Sequence, residues 1–575
     1  MTFLHSGGLS NLQFLDNSSP HFALYWQRGS LILSALLIHT LLRFLRPTRM
    51  IGASFRSVAW GYFTILGAIS PWSLVFLCAS TLLLSWRLWM FTVKPWVWPR
   101  QPKELPYWIP SHCNDMILTS YRDYTGRTHE VFTIQLLGKR LYIITSPTDV
   151  ASAYRDNIAL KFDGHLNELL ENFGFGADAI KRAWHNPQPG DWCYIPNNPV
   201  NPQQMNFIHL TEDIYKKQLL PGEKMDDICR GFLGALYKSL QWNQLDHCTS
   251  SVQGSRRRIS LYSLCRVAMV DAATRSMFGG HLHDIEPRIV DYMLGFNDYA
   301  WMVFFRFPDV FGRYVTEPRR KIMDALRTFI KLPDDQRSEQ SWSIKSIISA
   351  QEIVGIDMEA RASVILMIFW AANSNEYNIS FWVMAYLLYD DEIKELVRQE
   401  TEAAWKSGKL DIKFLCANCP NLEAIFNEAL RLNGGAMVSR VVLERTMIGG
   451  KDLLPGSSIL IPSRQLHTNE DVWGSNVREF EATRFLKKKS LARHSSFRPF
   501  GGGSTYCPGR VLAKEEVYGF VAILFHRFNM ELADVATDGR KKPPFPRLND
   551  TTPALGITGP LKSMDVIVDM TDASG

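Results

Sequence analysis

Little in this chain points to a charged partner. Its formal net charge is +6 over 575 residues, which makes no case for nucleic acid. It has no internal repeat, and no long linker interrupts it after about residue 110. A length that would admit several domains is therefore better read as one large globular domain. There is no disulfide-like framework either. The nine cysteines are scattered, a usage that fits a reducing compartment such as the cytosol. Only Cys416-x-x-Cys419 forms a local pair, and no second pair or histidine follows at zinc-site spacing. A cleavable signal is missing as well, because the first apolar stretch starts late and no small-residue cleavage site stands out.

What is there begins with two apolar segments. Leu31 to Leu42 is too short to span a membrane, whereas Val58 to Trp86 is apolar or weakly polar for long enough to form a tilted or kinked span. We expect one span within 58–90. Arg87, Lys94, Arg100 and Lys103 on its far side favour a cytoplasmic catalytic portion, while Arg43, Arg46, Arg49 and Arg56 before it argue the other way. Asn17-Ser18-Ser19 is a potential glycosylation acceptor, lumenal in the first topology. Pro95, Pro99, Pro102, Pro106 and Pro110 then make a stiff tether. Val131–Leu137 and Arg140–Thr145 read as strands joined at Gly138-Lys139, and Pro147 opens a helix capped by Ser146. Phe173 to Pro202 is irregular. From Arg256 to Ser346 the pattern is mostly helical, with aromatic residues at Tyr299, Trp301, Phe304, Phe305 and Phe307. Glu359 to Tyr389 reads as one long helix, apolar on most faces, as expected for the centre of a domain. Short strands are expected around Met564 to Val568.

The chemistry concentrates in Phe500-Gly501-Gly502-Gly503-Ser504-Thr505-Tyr506-Cys507-Pro508-Gly509-Arg510. This is a glycine-rich loop ending in a cysteine, followed by a helical stretch, Val511 to Met530, with Pro508 suited to its first turn. Glycines let the backbone run close to something flat and take positive φ. A cysteine before a helix N-terminus feels the positive end of the dipole, which favours its thiolate. A phosphate-binding loop is excluded, since no Lys-Ser/Thr pair follows the glycines. Three readings of Cys507 stay open on the residues alone: an axial ligand for an iron porphyrin, a nucleophile awaiting a histidine base, and a buried inert thiol. Two other features are notable. Glu428 and Arg431 share a helix face three residues apart. Small and polar residues, Ala371-Ala372-Asn373-Ser374-Asn375-Glu376, interrupt the apolar helix, marking a place where something approaches.

Phe500-x-x-Gly503-x-x-x-Cys507-x-Gly509 resembles the haem-binding signature of the cytochromes P450. The resemblance covers roughly residues 105 to 570. It implies a mainly α architecture with a small β region, the P450-like fold, behind an N-terminal membrane anchor. On that basis Cys507 is the proximal iron ligand, Phe500 shields its sulfur, and Gly503 and Gly509 let loop and helix approach haem b. Glu428-Ala429-Leu430-Arg431 looks like the family's Glu-x-x-Arg, and Arg484 in Phe480-Glu481-Ala482-Thr483-Arg484-Phe485 like the later arginine of the same network. Arg440, nine residues after Arg431, matches an arginine that binds a haem propionate, and Ala436, Met437 and Val438 before it would point towards substrate. The chain departs from the family in three places. Thr505 stands where many members carry Arg or His, as in the branch with sterol 7α-hydroxylase and prostacyclin synthase. No Trp-x-x-x-Arg motif is clear, leaving Lys216 and Lys217 as candidates for a propionate. Asn375 and Glu376 occupy the positions of the acid and alcohol that guide protons.

The organisation expected is an N-terminal region with the anchor (1–94), a proline-rich hinge (95–110) and a haem-thiolate catalytic domain (111–575). The resemblance implies a monooxygenase in the endoplasmic reticulum membrane, with its catalytic domain in the cytosol. It would place one oxygen atom from O2 into a lipophilic small molecule (sterol, terpenoid, polyketide or fatty-acid-like) of specialised metabolism, using electrons from NADPH through a cytochrome P450 reductase. The alternatives are a reductase-independent haem-thiolate isomerase or dehydratase, and a non-catalytic haem-binding protein.

Overall fold

In the computed structural model the described residues are 71–104, 128–136, 138–307, 312–533 and 542–573. Leu31–Leu42, the glycosylation acceptor at Asn17, the first part of the expected span, Pro106 and Pro110 lie outside them. Two compact units divide the chain, residues 1–86 and 87–575. Helix α1 (Pro71–Leu88) carries large apolar side chains that stay exposed, among them Trp72, Phe76 and Leu82. Val75–Val97, 23 residues of mean hydropathy 1.4, is long and apolar enough to cross a membrane.

Two sheets flank a large helical core. The first takes strands from distant parts of the chain: β1 (Lys103–Glu104), β2 (Phe132–Leu136), β3 (Lys139–Ile143) and β4 (Leu160–Lys161), then β7 (Met437–Val442) and β8 (Ser458–Pro462). Their order is β1-β2-β3-β8-β7-β4. Strands β2 and β3 form the hairpin that Gly138 announces, its φ of +79° supplying the tight turn. Between β3 and β4, helix α2 (Pro147–Arg155) starts where Ser146 Oγ accepts from the Asp149 N–H. In the second sheet, β5 (Thr249–Gln253) and β6 (Arg256–Ser260) meet β9 (Phe528–Leu532) and β10 (Ile567–Asp572) in the order β9-β10-β6-β5. Arg256–Ser260 is thus a strand rather than the start of a helix.

Helices α3 (Phe207–Leu219) and α4 (Leu261–Phe278) precede the central element. That element is not one helix. It is α5 (Met358–Asn373) and α6 (Glu376–Tyr389), separated at Ser374 and Asn375. Polar side chains compete here with the helical ladder. The Asn375 amide nitrogen donates to Ser374 Oγ at 2.8 Å, and Glu376 Oε2 accepts from the Asn375 backbone N–H at 3.2 Å. Every residue of α6 from Tyr377 to Leu388 is buried, so it is enclosed on all sides. Helix α7 (Pro420–Asn433) and the short α8 (Arg484–Lys487) lead to α9 (Arg510–Arg527). Helix α9 begins after Gly509, so Pro508 lies before the cap rather than in the first turn. It also ends earlier than the residue preferences suggest, because Phe528–Leu532 pairs with β10.

Candidate active site

The cysteine loop is closed by its own backbone. The Cys507 N–H donates to the Phe500 carbonyl at 3.1 Å, and the Tyr506 N–H to that of Gly503 at 3.2 Å. Gly501 and Gly503 take φ of +73° and +64°, which L residues rarely adopt. At Gly503 a side chain is also sterically barred, since a Cβ would lie 2.7 Å from the Tyr154 carbonyl and 2.9 Å from Arg440 Nη2. Gly509 differs. The protein atoms nearest a Cβ there are Leu219 Cδ1 at 3.8 Å and Cys507 Sγ at 3.9 Å, ordinary contacts that leave room beside the sulfur.

Cys507 is a free, partly buried cysteine. Burial raises its thiol pKa; the N–H groups of Gly509 and Arg510 and the Arg510 guanidinium pull the other way, while the Glu376 carboxylate adds to the rise. Burial therefore outweighs the helix-end effect read from the sequence, and the thiolate needs a bound cation to hold it. Glu376, at the start of α6, is near enough to Cys507 for its charge to bear on the thiol. Ala371, one turn earlier, is exposed in a helix otherwise largely buried, so α5 borders open space there rather than protein.

Arg440 sits in the middle of β7, 1 % exposed. Among the described residues it has no ion-pair partner. Its donors reach Asn157 Oδ1 (3.4 Å), the carbonyls of Leu160 (3.5 Å) and Gly502 (3.4 Å), and Thr505 Oγ1 (3.2 Å). All four bonds are long, and Nε finds no partner. Its guanidinium lies over the Tyr154 ring, 5.3 Å from the centroid. The Tyr154 hydroxyl is likewise buried without a partner, and burial pushes its pKa up to about 12. A buried cation beside unpaired donors lacks an anion. A porphyrin carboxylate fits that need, and an iron centre fits the thiol. Thr505, where many relatives carry a cation, serves Arg440 as an acceptor. Lys216 and Lys217 are not in this cluster's network; each pairs with an acid one turn back, Glu212 and Asp213, at 2.6 and 2.7 Å.

Glu428, Arg431 and Arg484 come together in the core. Arg431 Nε and Nη2 donate to Glu428 Oε2 and Oε1 at 2.8 and 2.7 Å, and Arg484 Nε reaches Oε1 at 3.0 Å. The remaining guanidinium hydrogens go to the carbonyls of His467 and Val477 from Arg431, and of Trp473 from Arg484. This fork-on-fork pairing, fed by backbone carbonyls, satisfies charges that burial would otherwise penalise. It ties α7 to α8 and to the chain leading into the cysteine loop.

Two acids complete the interior. Burial raises the pKa of Glu376, and Glu516 on α9 is pushed further up by burial together with the carboxylates of Glu376 and Glu515. The two act on each other, and burial disfavours the charged form of both. Tyr154 and Glu516 went unnoticed in the sequence. The signal for Glu516 was available, a Glu-Glu pair inside the apolar run of α9. Tyr154 had none, because its neighbours come from remote strands.

Taken together, a free, partly buried thiol on a glycine loop that a buried, anion-seeking arginine contacts at Gly502 and Thr505 fits a haem-thiolate site. The comparisons with known proteins agree. The profile of the family described as Cytochrome P450 matches residues 243–550, and the chain belongs to that family. It is similar to a cytochrome P450 monooxygenase of Gibberella zeae, 27 % identical over 430 residues, 72 % of this chain and 77 % of that protein. It also resembles the monooxygenases calL of Penicillium decumbens and poxD of Penicillium oxalicum. Both are 24 % identical, over 74 % and 76 % of this chain and 83 % and 89 % of theirs. The chain is accordingly a haem-dependent monooxygenase, an oxidoreductase of mainly α architecture with small sheets.

Proposed function

We propose that this enzyme inserts one oxygen atom from O2 into a lipophilic small molecule of specialised metabolism, a sterol, terpenoid, polyketide or fatty-acid-like compound. Electrons come from NADPH through a cytochrome P450 reductase. Cys507 holds the iron, Arg440 binds a propionate, Phe500 covers the sulfur, and Gly503 and Gly509 leave room for the porphyrin. Glu428, Arg431 and Arg484 brace the loop from behind. The observation that carries this reading is the free, partly buried thiol of Cys507 on a glycine loop held beside Arg440, a buried cation without an anion among the described residues. Bound haem would supply O2 activation, and the Cys507 thiolate holding its iron would favour this by donating electron density.

The chain's own residues bind, orient and hold protons. Burial raises the pKa of Glu376 and Glu516, and Glu376 either delivers a proton or hydrogen-bonds a polar group of the substrate. A groove beside the cysteine loop carries Arg493, Arg498, Arg510 and Lys514, with the acids Glu423 and Glu515, next to Phe500 and Tyr506. The excess of cations suits an acidic electron donor. The apolar segment Val75–Val97 supports an anchor in the endoplasmic reticulum membrane, with residues 1–94 as the membrane region, 95–110 as the hinge and 111–575 as the catalytic domain in the cytosol.

The test is Cys507→Ser. It should abolish the red-shifted carbon monoxide spectrum of thiolate-bound ferrous haem, and a variant that keeps that spectrum overturns the assignment. A second reading, a reductase-independent isomerase or dehydratase, is favoured by one observation. Asn375 offers no acid, and its amide is engaged by protein partners on both sides. Substrate-dependent NADPH consumption in the presence of reductase decides for the monooxygenase; turnover without it decides for the second.

A further inference from the structure

The C-terminal segment Ala554–Pro560 belongs to no named strand, yet its backbone is fully engaged along its middle. Gly556 C=O accepts from the Gly435 N–H at 2.8 Å, and the Thr558 N–H donates to the Asn433 carbonyl at 2.9 Å. Those two bonds tie it to the end of α7. The other three polar groups, the Ile557 N–H, the Ile557 C=O and the Thr558 C=O, are met by side chains of α6 and its cap. Asn375 Oδ1 accepts from the Ile557 N–H at 2.7 Å, Asn378 Nδ2 donates to the Ile557 carbonyl at 3.2 Å, and Trp382 Nε1 donates to the Thr558 carbonyl at 2.7 Å. Positions 375, 378 and 382 are spaced three and four apart, one stripe of a helix.

The fit admits no slack. A Cβ on Gly556 would overlap Asn375 Oδ1, and one on Gly559 would lie 2.6 Å from Tyr262 Oη and 2.8 Å from Asn378 Oδ1. Both amides are oriented by further bonds: Asn375 Nδ2 to Ser374 Oγ at 2.8 Å, and Tyr262 Oη to Asn378 Oδ1 at 2.9 Å. A backbone N–H can only donate and a carbonyl only accept, so each amide has a single orientation that satisfies its partners. Asn375 is no acid, and its amide oxygen and nitrogen are each engaged by a protein partner.

We infer that Asn375, with Asn378 and Trp382, is a positioning residue that seats segment 554–560 on the central helix at its break and so sets one wall of the substrate space. This rests on the haem-thiolate reading for the location of that space, though the seat itself does not.

The experiment uses the full-length holoprotein and three variants, Asn375→Ala, Asn375→Asp and Trp382→Phe. Amide exchange is followed over residues 554–560, and affinities for imidazole and for the larger 4-phenylimidazole are read from the haem absorption shift. Loss of one side chain–backbone bond in Asn375→Ala should speed exchange of the segment about tenfold and change the ratio of the two azole affinities by roughly fivefold. Trp382→Phe should act in the same direction. Asn375→Asp should stay near the parent, because a carboxylate accepts from the same N–H. Unchanged exchange in Asn375→Ala overturns the inference, and so does an Asn375→Asp that behaves like Ala. The carbon monoxide spectrum, recorded in parallel, separates the two readings. Its loss in the parent protein would sink the haem-thiolate assignment, while exchange would still report on the seat.

Discussion

Replacing Arg440 by leucine should move two measurements in opposite directions. Arg440 is 1 % exposed and has no carboxylate partner among the described residues; its four hydrogen bonds run from 3.2 to 3.5 Å, and Nε has none. Burial lowers its pKa, and Tyr154 and Asp156, which act the other way, do not cancel that effect. The charged group is therefore costly in the protein without an anion, and an apolar residue of similar reach relieves that cost. With haem bound, the arginine supplies a charge-assisted hydrogen bond worth about 1.5–3 kcal/mol. At 1.4 kcal/mol per factor of ten, Arg440→Leu should weaken haem retention roughly 10- to 100-fold. The assay is the rate of haem transfer to excess apomyoglobin, beside thermal unfolding of the haem-free protein. The expected result is faster haem loss together with an unchanged or higher Tm of the haem-free form. Unaltered haem transfer, or a haem-free form destabilised by more than about 3 kcal/mol as for a broken buried pair, would refute the reasoning.

Three further outcomes are expected. Arg431→Met strips Glu428 of its two-point partner and leaves the carbonyls of His467 and Val477 without donors; it should cost about 3–5 kcal/mol, read by denaturant unfolding, and a loss below about 0.5 kcal/mol would contradict the network's role. His467 is buried and accepts from the Arg498 N–H at 3.0 Å; burial, with the cations of Arg431 and Arg464, lowers its pKa from 6.5 to about 3. A folded-state pKa below the unfolded one means its contribution is complete above pH 6.5 and is lost as pH falls towards 3, on the order of 5 kcal/mol in all. His467→Gln should flatten stability across that window, and an identical acid profile would disprove the assignment. Glu376→Gln should raise hydrogen peroxide release per NADPH if the carboxyl delivers protons, or weaken binding at constant coupling if it orients substrate; a variant unchanged in both makes Glu376 a bystander.

Much of this site was legible from chain order alone. The loop from Phe500 to Gly509, the Glu428–Arg431 pair and Arg484 announce themselves because residue type and spacing carry the information. The hairpin at Gly138 and the helix at Pro147 were readable for the same reason, since turn and cap chemistry is local. What was hidden depends on distance. The sheet that positions Arg440 pairs β7 and β8 with β3 and β4, and nothing in either stretch names the other. The break in the central helix was read as unbroken because the apolar pattern runs through it, and only Ser374 and Asn375 hint at it. The thiol of Cys507 was read from its helix end, but the burial that outweighs this is a property of the whole fold.

The break makes one polar dipeptide serve two surroundings. Adjacent residues on a helix do not share a face, so Asn375 and Glu376 meet different partners. Asn375 takes the backbone of Ile557, and Glu376 acts on Cys507 and Glu516. A continuous helix would use the backbone groups of Ser374 and Asn375 in its own ladder, and the Asn375 N–H would not be available to Glu376 Oε2. Opening the ladder there holds the carboxyl at the start of α6, where free N–H groups and the dipole favour an acid. Burial and the second carboxylate oppose ionisation at the same point. The residue is thus held between two opposing influences of similar kind, which is the condition for a group that exchanges its proton near neutral pH. On the proposed reading, Glu376 is the acid of this stretch and Asn375 the seat of the Ile557 backbone.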